Sequence, residues 1–169
     1  AKAKLKVQKV EHGTNTPIAR VSYKLTGKNI DKVFTTNING QINLSGLSIN
    51  EEYTLQETKA EGYYLANPIK FKVVNNNGQY QVEILEGNVL QNNVEEVDNI
   101  PCVNFTLENE KVPTYILEIT KVEKGTTKVL QGAKFRLYKE QKQLGEYTTD
   151  ANGKIIINDL YQYVEGKAE

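Results

Sequence analysis

Three segments of the chain carry apolar side chains at every second position, and each row ends on a polar residue. The rows end at Lys9, Glu57 and Asn109, and their apolar members are Leu5 and Val7, then Tyr53 and Leu55, then Val103, Phe105 and Leu107. Successive side chains of a strand point to opposite faces, so the alternation predicts an amine, a carboxyl group and a carboxamide on the buried side of one sheet protein. Each group buried alone would cost free energy, so the three are expected to act together.

Alternation by two is the dominant period of the chain, and no stretch of a dozen residues has a helical stripe. We therefore predict an all-β protein. The first copy of the repeat described below is predicted to have strands at residues 4–11, 18–26, 32–36, 41–44, 52–58, 69–74, 79–85 and 102–109. Asn39-Gly40 and Asn77-Gly78 are predicted hairpin turns, because both residue types accept positive φ at low cost. The polar residues 87–101 are interpreted as a long loop.

The chain repeats part of its own sequence. Residues 5–11 match residues 117–123 without a gap. At the same offset, Val21, Tyr23 and Leu25 fall on Ala133, Phe135 and Leu137. With the offset increased by one residue, six more pairs match: Thr35 with Thr148, Thr36 with Thr149, Asn39 with Asn152, Gly40 with Gly153, Ile42 with Ile155 and Leu47 with Leu160. We therefore predict one complete domain at residues 1–112 and the N-terminal half of a second at residues 113–169.

The second copy is expected to be incomplete. It contains Lys121, the counterpart of the first lysine, but ends before any equivalent of Glu57 or Asn109. Too few strands remain to close a core, so we expect Lys121 to stay a free amine and expect further sequence beyond Glu169. The join at residues 110–113 is short and includes a proline, which predicts that the two copies follow each other stiffly.

Composition excludes several classes of function. The 169 residues include 21 basic and 21 acidic side chains, and zero net charge gives no electrostatic basis for binding nucleic acid or an anionic membrane. No apolar stretch approaches the roughly 18 residues that a membrane span needs, so direct membrane insertion is not expected. The single cysteine, Cys102, excludes an internal disulfide, and an extracellular protein of this kind would need another covalent staple.

The three polar row ends have the chemistry for an amide bond that the protein makes by itself. Burial disfavours the charged form of Lys9 and so favours the nucleophilic amine, while the same surroundings favour a protonated Glu57. Glu57 is expected to donate a hydrogen bond to the Asn109 carbonyl and then to pass a proton to departing ammonia. Fixed proximity supplies the rest, and the product is an amide that joins the first and last strands of the copy.

Several segments resemble a known family. Residues 53–63, preceded by residues 5–9 and followed by residues 105–109, resemble the Cna B-type (prealbumin-like, SpaA-like) domains of Gram-positive surface adhesins and pilins. Residues 132–138 together with residues 148–153 resemble the opening half of the same domain. The resemblance therefore covers essentially the whole chain.

The resemblance implies an immunoglobulin-like (prealbumin-like) β-sandwich with a Lys-Asn isopeptide bond, here Lys9 to Asn109, and a catalytic acid, here Glu57. It implies an extracellular protein attached to the cell wall through a distant sortase signal. The expected function is that of a stalk or spacer in an adhesin or pilin, whose partners are neighbouring modules of the same protein.

Each residue also has a simpler interpretation. Lys9 could end its strand with the amine extended to solvent, Glu57 could be a surface charge, and Asn109 could belong to a turn. Cys102 falls on the outer parity of its strand and is interpreted as a spare thiol. His12, the only histidine, is expected to be a solvated turn residue, not a metal ligand.

Two other functions remain open at this stage. The chain could bind a host extracellular matrix protein or glycan directly, which would require an exposed apolar patch or a groove. An enzyme is the weaker hypothesis, because one histidine and one cysteine leave no hydrolytic or metal cluster. We expect no cofactor and no metal.

Overall fold

The computed structural model describes residues 2–161. Within that range the regular secondary structure consists of β-strands, with no helix. The all-β class predicted from the sequence is confirmed. The chain divides into two compact units, of which the first ends at Val112 and the second begins at Pro113. In the described range, no helix is long and apolar enough to cross a membrane.

The first unit is a sandwich of two sheets. The four-stranded sheet has the order β4-β1-β9-β8 and consists of β1 (Lys2–Glu11), β4 (Gln41–Ser48), β8 (Gln91–Val97) and β9 (Ile100–Asn109). The five-stranded sheet has the order β3-β2-β5-β6-β7 and consists of β2 (Ser22–Gly27), β3 (Ile30–Thr35), β5 (Tyr53–Lys59), β6 (Ile69–Asn76) and β7 (Gln79–Glu86). The first and last strands of the unit, β1 and β9, are neighbours and pair in parallel, so the end of β9 lies beside the end of β1.

The apolar rows seen in the sequence form the core between the sheets. Val103, Phe105 and Leu107 of β9 are all buried, as the alternation predicts. Phe105 meets Phe71 of the opposite sheet edge to face, with 5.1 Å between ring centroids. Burying side chains of this size contributes about 1.5–3 kcal/mol each, so these rows hold the two sheets together.

The predicted loop at residues 87–101 is wrong, because most of it forms β8 and the start of β9. β8 is an edge strand whose side chains are exposed except for the half-buried Val94, so it has no apolar alternation to detect. Asp98 and Asn99 both have positive φ and form a two-residue turn, with Val97 paired to Ile100.

One of the two predicted hairpin turns is confirmed. Asn77 and Gly78 have φ of 55° and 88° and connect the paired strands β6 and β7. Asn39-Gly40 is a turn, but the hairpin prediction is wrong, because it connects β3 of one sheet to β4 of the other. Gly40 has φ of 73° and its N–H donates to the carbonyl of Asn37, so the local geometry suits the Asn-Gly pair although the strands diverge.

The second unit has four strands in two antiparallel pairs. They are β10 (Thr114–Thr120), β11 (Lys134–Lys139), β12 (Lys142–Thr148) and β13 (Lys154–Tyr161), with β10 paired to β13 and β11 to β12. Ile155 and Ile157 of β13 are buried, whereas Leu117 and Ile119 of β10 are only half-buried. The described part of this unit therefore has fewer strands to cover its apolar side chains than the first unit has.

Candidate functional site: a buried lysine, glutamate and asparagine

The structure brings the three predicted site residues together inside the first unit. Lys9 lies on β1, Asn109 ends β9, and Glu57 reaches them from β5 of the opposite sheet. Their relative exposures are 0% for Lys9, 4% for Glu57 and 2% for Asn109. The parallel register places Lys9 opposite Leu107 and Glu11 opposite Asn109, so the lysine and the asparagine are two positions apart along adjacent strands.

Glu57 bridges the two other side chains. Lys9 Nζ lies 3.2 Å from Glu57 Oε1, and Asn109 Nδ2 donates a hydrogen bond of 2.9 Å to Glu57 Oε2. Glu57 Oε1 has its ion-pair contact with Lys9 Nζ, whereas the buried Asn109 Oδ1 has no hydrogen-bond partner among the described residues. An unpaired buried oxygen costs free energy, so the position of the Asn109 amide depends on the surrounding fold as well as on its bonds to Glu57 and Tyr64.

The electrostatics of the site shift Lys9 toward its uncharged form. Burial lowers the pKa of Lys9, because the ammonium loses its hydration, and the nearby carboxylate of Glu57 offsets only part of this effect. A lowered pKa increases the fraction of neutral amine at a given pH. The amine is the form of lysine that can attack a carboxamide.

The amide of Asn109 is oriented differently from the sequence-based expectation. Its Nδ2, not its carbonyl oxygen, faces Glu57, and the same Nδ2 also donates to the Tyr64 carbonyl at 3.0 Å. The main-chain N–H of Ala66 donates to Glu57 Oε2. Turning the amide over would place its oxygen against the Tyr64 carbonyl oxygen, and two acceptors repel. The observed orientation puts the nitrogen that would depart next to the acid that could protonate it.

Main-chain groups of the segment after β5 complete the site. This segment is anchored to the chain after β9, because Tyr64 N donates to the Glu110 carbonyl and Val112 N donates to the Gly62 carbonyl, both at 2.9 Å. Gly62 has φ of 83°, a conformation that glycine adopts at low cost. The sequence gives no side-chain signal for these backbone contacts, so they could not be predicted from it.

Tyr23 of β2 is a fourth side chain of the site, and the sequence analysis missed it. Its hydroxyl accepts a hydrogen bond of 2.7 Å from Lys9 Nζ. Tyr23 alternates with the apolar residues Val21 and Leu25, and a hydroxyl inside such a row was the signal that could have identified it.

A bulge in β5 adjusts the strand beside the site. Ser22 pairs with Lys59 and Tyr23 pairs with Glu57, so Thr58 is the extra residue on β5. Bulges of this kind redirect side chains and are common beside functional sites. The result is that Tyr23 and Glu57 are direct cross-strand neighbours on the inner face.

A cavity of about 530 Å³ borders the site, and its lining includes Lys9, Tyr23, Asn67 and Glu108. Its volume is sufficient for small molecules such as water or ammonia. The cavity therefore lies beside Lys9 and Tyr23, and Asn109 is not among its lining residues.

The other residues singled out in the sequence are Lys121, Cys102 and His12. Lys121 is exposed, and residues 113–161 contain no strand corresponding to β5 or β9. Cys102 is a half-buried free thiol. The side chain of His12 is 63% exposed and its Nδ1 lies 3.0 Å from Glu108 Oε1, a contact that raises the pKa of His12.

Comparison with known proteins identifies the fold family. The sequence profile described as SpaA, prealbumin-like fold domain, matches residues 3–88 and 116–168. Similar solved structures include a streptococcal ancillary pilin, with TM-score 0.51 and 18% identity over 95% of this chain and 50% of that chain. A mutant of the shaft pilin SpaA from Lactobacillus rhamnosus GG has TM-score 0.51 and 16% identity over 95% of this chain and 82% of that chain.

The Bacillus anthracis TIE protein is also similar, with TM-score 0.47 and 23% identity over 94% of this chain and 26% of that chain. The chain thus spans about a quarter of that protein and half of the streptococcal pilin. No protein among curated sequences matches the chain. The profile match extends over most of the sequence in both units, and the chain belongs to the SpaA family of prealbumin-like fold domains.

Proposed function

We propose that the chain is a structural stalk or spacer module of a Gram-positive cell-wall-anchored adhesin or pilin, stabilised by a self-catalysed isopeptide bond between Lys9 and Asn109. The single observation that carries the bond is the position of Glu57, which contacts both Lys9 Nζ and Asn109 Nδ2 inside the core. The similarity of the fold to pilin structures supports the extracellular, cell-wall location.

The proposed reaction joins two side chains once in the life of each molecule, and it is not enzymatic turnover. Glu57 takes a proton from the Lys9 ammonium, and the neutral Nζ forms a bond to Asn109 Cγ. The bond between Cγ and Nδ2 then breaks while Glu57 returns a proton to Nδ2. The lysine nitrogen loses two protons overall: one reaches Nδ2, the other leaves with the ammonia as ammonium, and Glu57 regains its starting state.

The position of the bond suits a protein that carries force. β1 and β9 are adjacent parallel strands, and the bond would connect them near their carboxyl ends. A pull at the two ends of the first unit would pass along β1, through the bond and out beyond Asn109. Residues 10–108 would lie outside the force path, so extension would not unravel the sandwich.

The proposed domain organisation is one complete domain at residues 1–112 and the opening half of a second at residues 113–169. Its support is that backbone hydrogen bonds of the first unit recur in the second: Lys9 N to Gly40 O matches Lys121 N to Gly153 O. Lys121 then holds the position of Lys9 in a unit whose described residues, 113–161, include no strand corresponding to β5 or β9. The proposed partners are neighbouring modules of the same surface protein, and direct binding of a host matrix protein or glycan stays a prediction.

Intact mass spectrometry tests the bond. Wild-type protein should be lighter than its calculated mass by one ammonia, and proteolysis should yield a branched peptide containing Lys9 and Asn109. The variant Glu57→Ala should retain the full mass. Gln56→Ala, an exposed neighbour on β5, is the matched control and should lose ammonia as the wild type does. A wild-type chain at its calculated mass would contradict the proposed bond.

A further inference from the structure

We infer that Tyr23 is a positioning residue for the Lys9 amine in the proposed bond formation. This inference rests on the proposed isopeptide reaction and adds to it a role for a residue outside the lysine, acid and asparagine set. The hydroxyl oxygen of Tyr23 accepts a hydrogen bond of 2.7 Å from Lys9 Nζ, the atom that would attack. Tyr23 and Glu57 thus approach the same nitrogen, the second at 3.2 Å.

The strand register fixes Tyr23 in this position. Tyr23 pairs directly with Glu57 across β2 and β5, next to the bulge at Thr58. Its side chain is almost fully buried, and Lys9 Nζ lies 5.3 Å from the centroid of its ring. A residue held by a ladder and by core packing has little freedom, so its hydroxyl is a fixed reference point for the flexible lysine side chain.

The Tyr23 hydroxyl has a specific role when the proton moves from Lys9 to Glu57. While Lys9 is an ammonium and Glu57 a carboxylate, their charges attract and hold the nitrogen in place. Transfer of one proton to Glu57 neutralises both groups and removes that attraction. The hydrogen bond from the neutral amine to Tyr23 remains, so Tyr23 keeps the nucleophile in place when the charge no longer does.

The tyrosine itself stays uncharged throughout this sequence. Burial first, then the charge of Glu57 and a hydrogen bond with its carboxylate, raise the pKa of Tyr23 well above its usual value. The hydroxyl is therefore a neutral acceptor that does not compete with Glu57 for the proton.

The repeat offers a variant that removes only the hydroxyl. Phe135 occupies the position of Tyr23 in the second copy, so this strand position packs with a phenyl ring. Tyr23→Phe is therefore expected to fold. Tyr53 is the matched control, because it is equally buried and its hydroxyl also accepts a hydrogen bond, from Ser48 N at 2.8 Å, but it lies four residues from Glu57 along β5.

The test follows ammonia loss over time in freshly synthesised full chain, because the bond would already be complete in stored wild-type protein. Wild type, Tyr23→Phe and Tyr53→Phe are made by cell-free synthesis and sampled for intact mass at several pH values. Native amide signals in the same samples give the folded fraction, and the rate is expressed per folded molecule.

We expect Tyr23→Phe to slow bond formation by about 10-fold or more, because misplacing a reacting atom by about 1 Å can reduce a rate by 10²-fold. Tyr53→Phe should match the wild type. The groups that act on the Lys9 charge are Glu57 of β5 and Glu108 of β9, together with the acceptor Tyr23 of β2. Loss of that acceptor destabilises the ammonium, so the rise of rate with pH should move to lower pH in Tyr23→Phe.

The outcomes separate the two proposals. If wild type keeps its calculated mass, the proposed bond fails and the role of Tyr23 fails with it. If wild type loses ammonia and Tyr23→Phe does so at the same rate and with the same pH dependence as Tyr53→Phe, only the role of Tyr23 is overturned. A uniform slowing without a pH shift would also overturn it, since it would indicate only a general structural defect.

Discussion

The two units share a pattern of backbone hydrogen bonds but differ in how deeply the equivalent side chains are buried. In the first unit Lys9 N donates to the Gly40 carbonyl at 2.7 Å, and in the second Lys121 N donates to the Gly153 carbonyl at 2.8 Å. The same lysine carbonyls accept from Ile18 N and Leu130 N. Further equivalent pairs are Glu11–Thr16 with Glu123–Lys128, Arg20–Thr36 with Gly132–Thr149, and Asn37–Gln41 with Asp150–Lys154.

The equivalent side chains have very different surroundings. Lys9 is fully buried, whereas Lys121 is exposed. Tyr23 is buried, whereas its counterpart Phe135 is half-buried. Local sequence is therefore sufficient for the turns and crossings, while burial depends on β5–β9, which have no counterpart in residues 113–161. The proposed reactivity of a lysine in this framework comes from the second half of the domain and not from the motif around the lysine.

Removing the proposed bond should give the largest difference between the units. Asn109→Ala leaves Lys9 and Glu57 in place but cannot form the amide. A crosslink that closes about 100 residues stabilises by roughly 4.7 kcal/mol in the chain-entropy model, so the free energy of unfolding of the first unit should fall by about that amount. Urea unfolding followed by NMR signals of the first unit measures this loss. Lys121→Ala is the control and should leave that transition unchanged, and equal midpoints for Asn109→Ala and wild type would contradict the prediction.

A buried threonine allows the same hydrogen bonds to be compared in both units. Thr36 Oγ1 accepts from Val21 N at 2.9 Å and donates to the Ile18 carbonyl at 2.8 Å. Replacement by valine leaves a buried donor and a buried acceptor unpaired, each of which costs about 1–3 kcal/mol. We expect Thr36→Val to reduce the free energy of unfolding of the first unit by about 2 kcal/mol, measured by denaturant unfolding and by amide exchange at Val21.

Thr149 makes the equivalent bonds in the second unit, with Ala133 N at 2.9 Å and the Leu130 carbonyl at 2.7 Å. Ala133 and Leu130 are only half-buried, so water can replace the lost partner there. Thr149→Val should therefore have the smaller effect on amide exchange, at Ala133. A larger effect in the second unit would contradict the view that burial determines the value of these bonds.

The pH dependence of the free energy of unfolding should distinguish a free Lys9 amine from one in an amide bond. In Asn109→Ala the amine still titrates, and its folded pKa is lowered by burial. Between that pKa and the ordinary value of 10.5, the unfolded chain binds more protons than the folded one, so stability rises with pH and is lost as pH falls through the folded pKa.

The limiting slope is about 1.4 kcal/mol per pH unit. Urea unfolding of Asn109→Ala at several alkaline pH values measures it, and Lys9→Met in the same background should remove it. Wild type should lack this contribution, because an amide nitrogen does not titrate. The same slope in wild type would indicate a free amine.

Much of the site could be predicted from alternation alone. Counting every second residue placed Lys9, Glu57 and Asn109 on inner faces, because parity is set by strand geometry and needs no knowledge of neighbours. The orientation of the Asn109 amide could not be predicted, since it depends on the Tyr64 carbonyl, a main-chain group positioned by contacts far away in sequence.

The fold was predicted less completely at its edges. β8 was missed because an exposed edge strand has no apolar row: Val94 is its one half-buried side chain, and the Asp98-Asn99 turn connects it to β9. Asn39-Gly40 was correctly interpreted as a turn, but turn chemistry does not specify whether the next strand continues the same sheet.

The smallest expected effect concerns the single extra residue of the second copy. β2 and β3 pair without interruption, whereas the ladder of β11 and β12 shifts between Leu137–Gly145 and Tyr138–Gln143, which leaves Leu144 as the unpaired residue of a bulge. Leu144 is substantially exposed, so its deletion should restore an uninterrupted ladder and change the stability of the second unit by no more than about 0.5 kcal/mol.

Deletion of Val33 from β3 is the matched control, because no bulge lies there to absorb it. A one-residue shift reverses which face each side chain occupies, so Val33 deletion should disrupt pairing along the rest of β3. Cross-strand nuclear Overhauser contacts provide the measurement, and those between Tyr138 and Gln143 should survive deletion of Leu144. Loss of those contacts would mean that the β11–β12 pair requires the bulge. The extra residue of the second copy would then be a structural requirement and not a tolerated insertion.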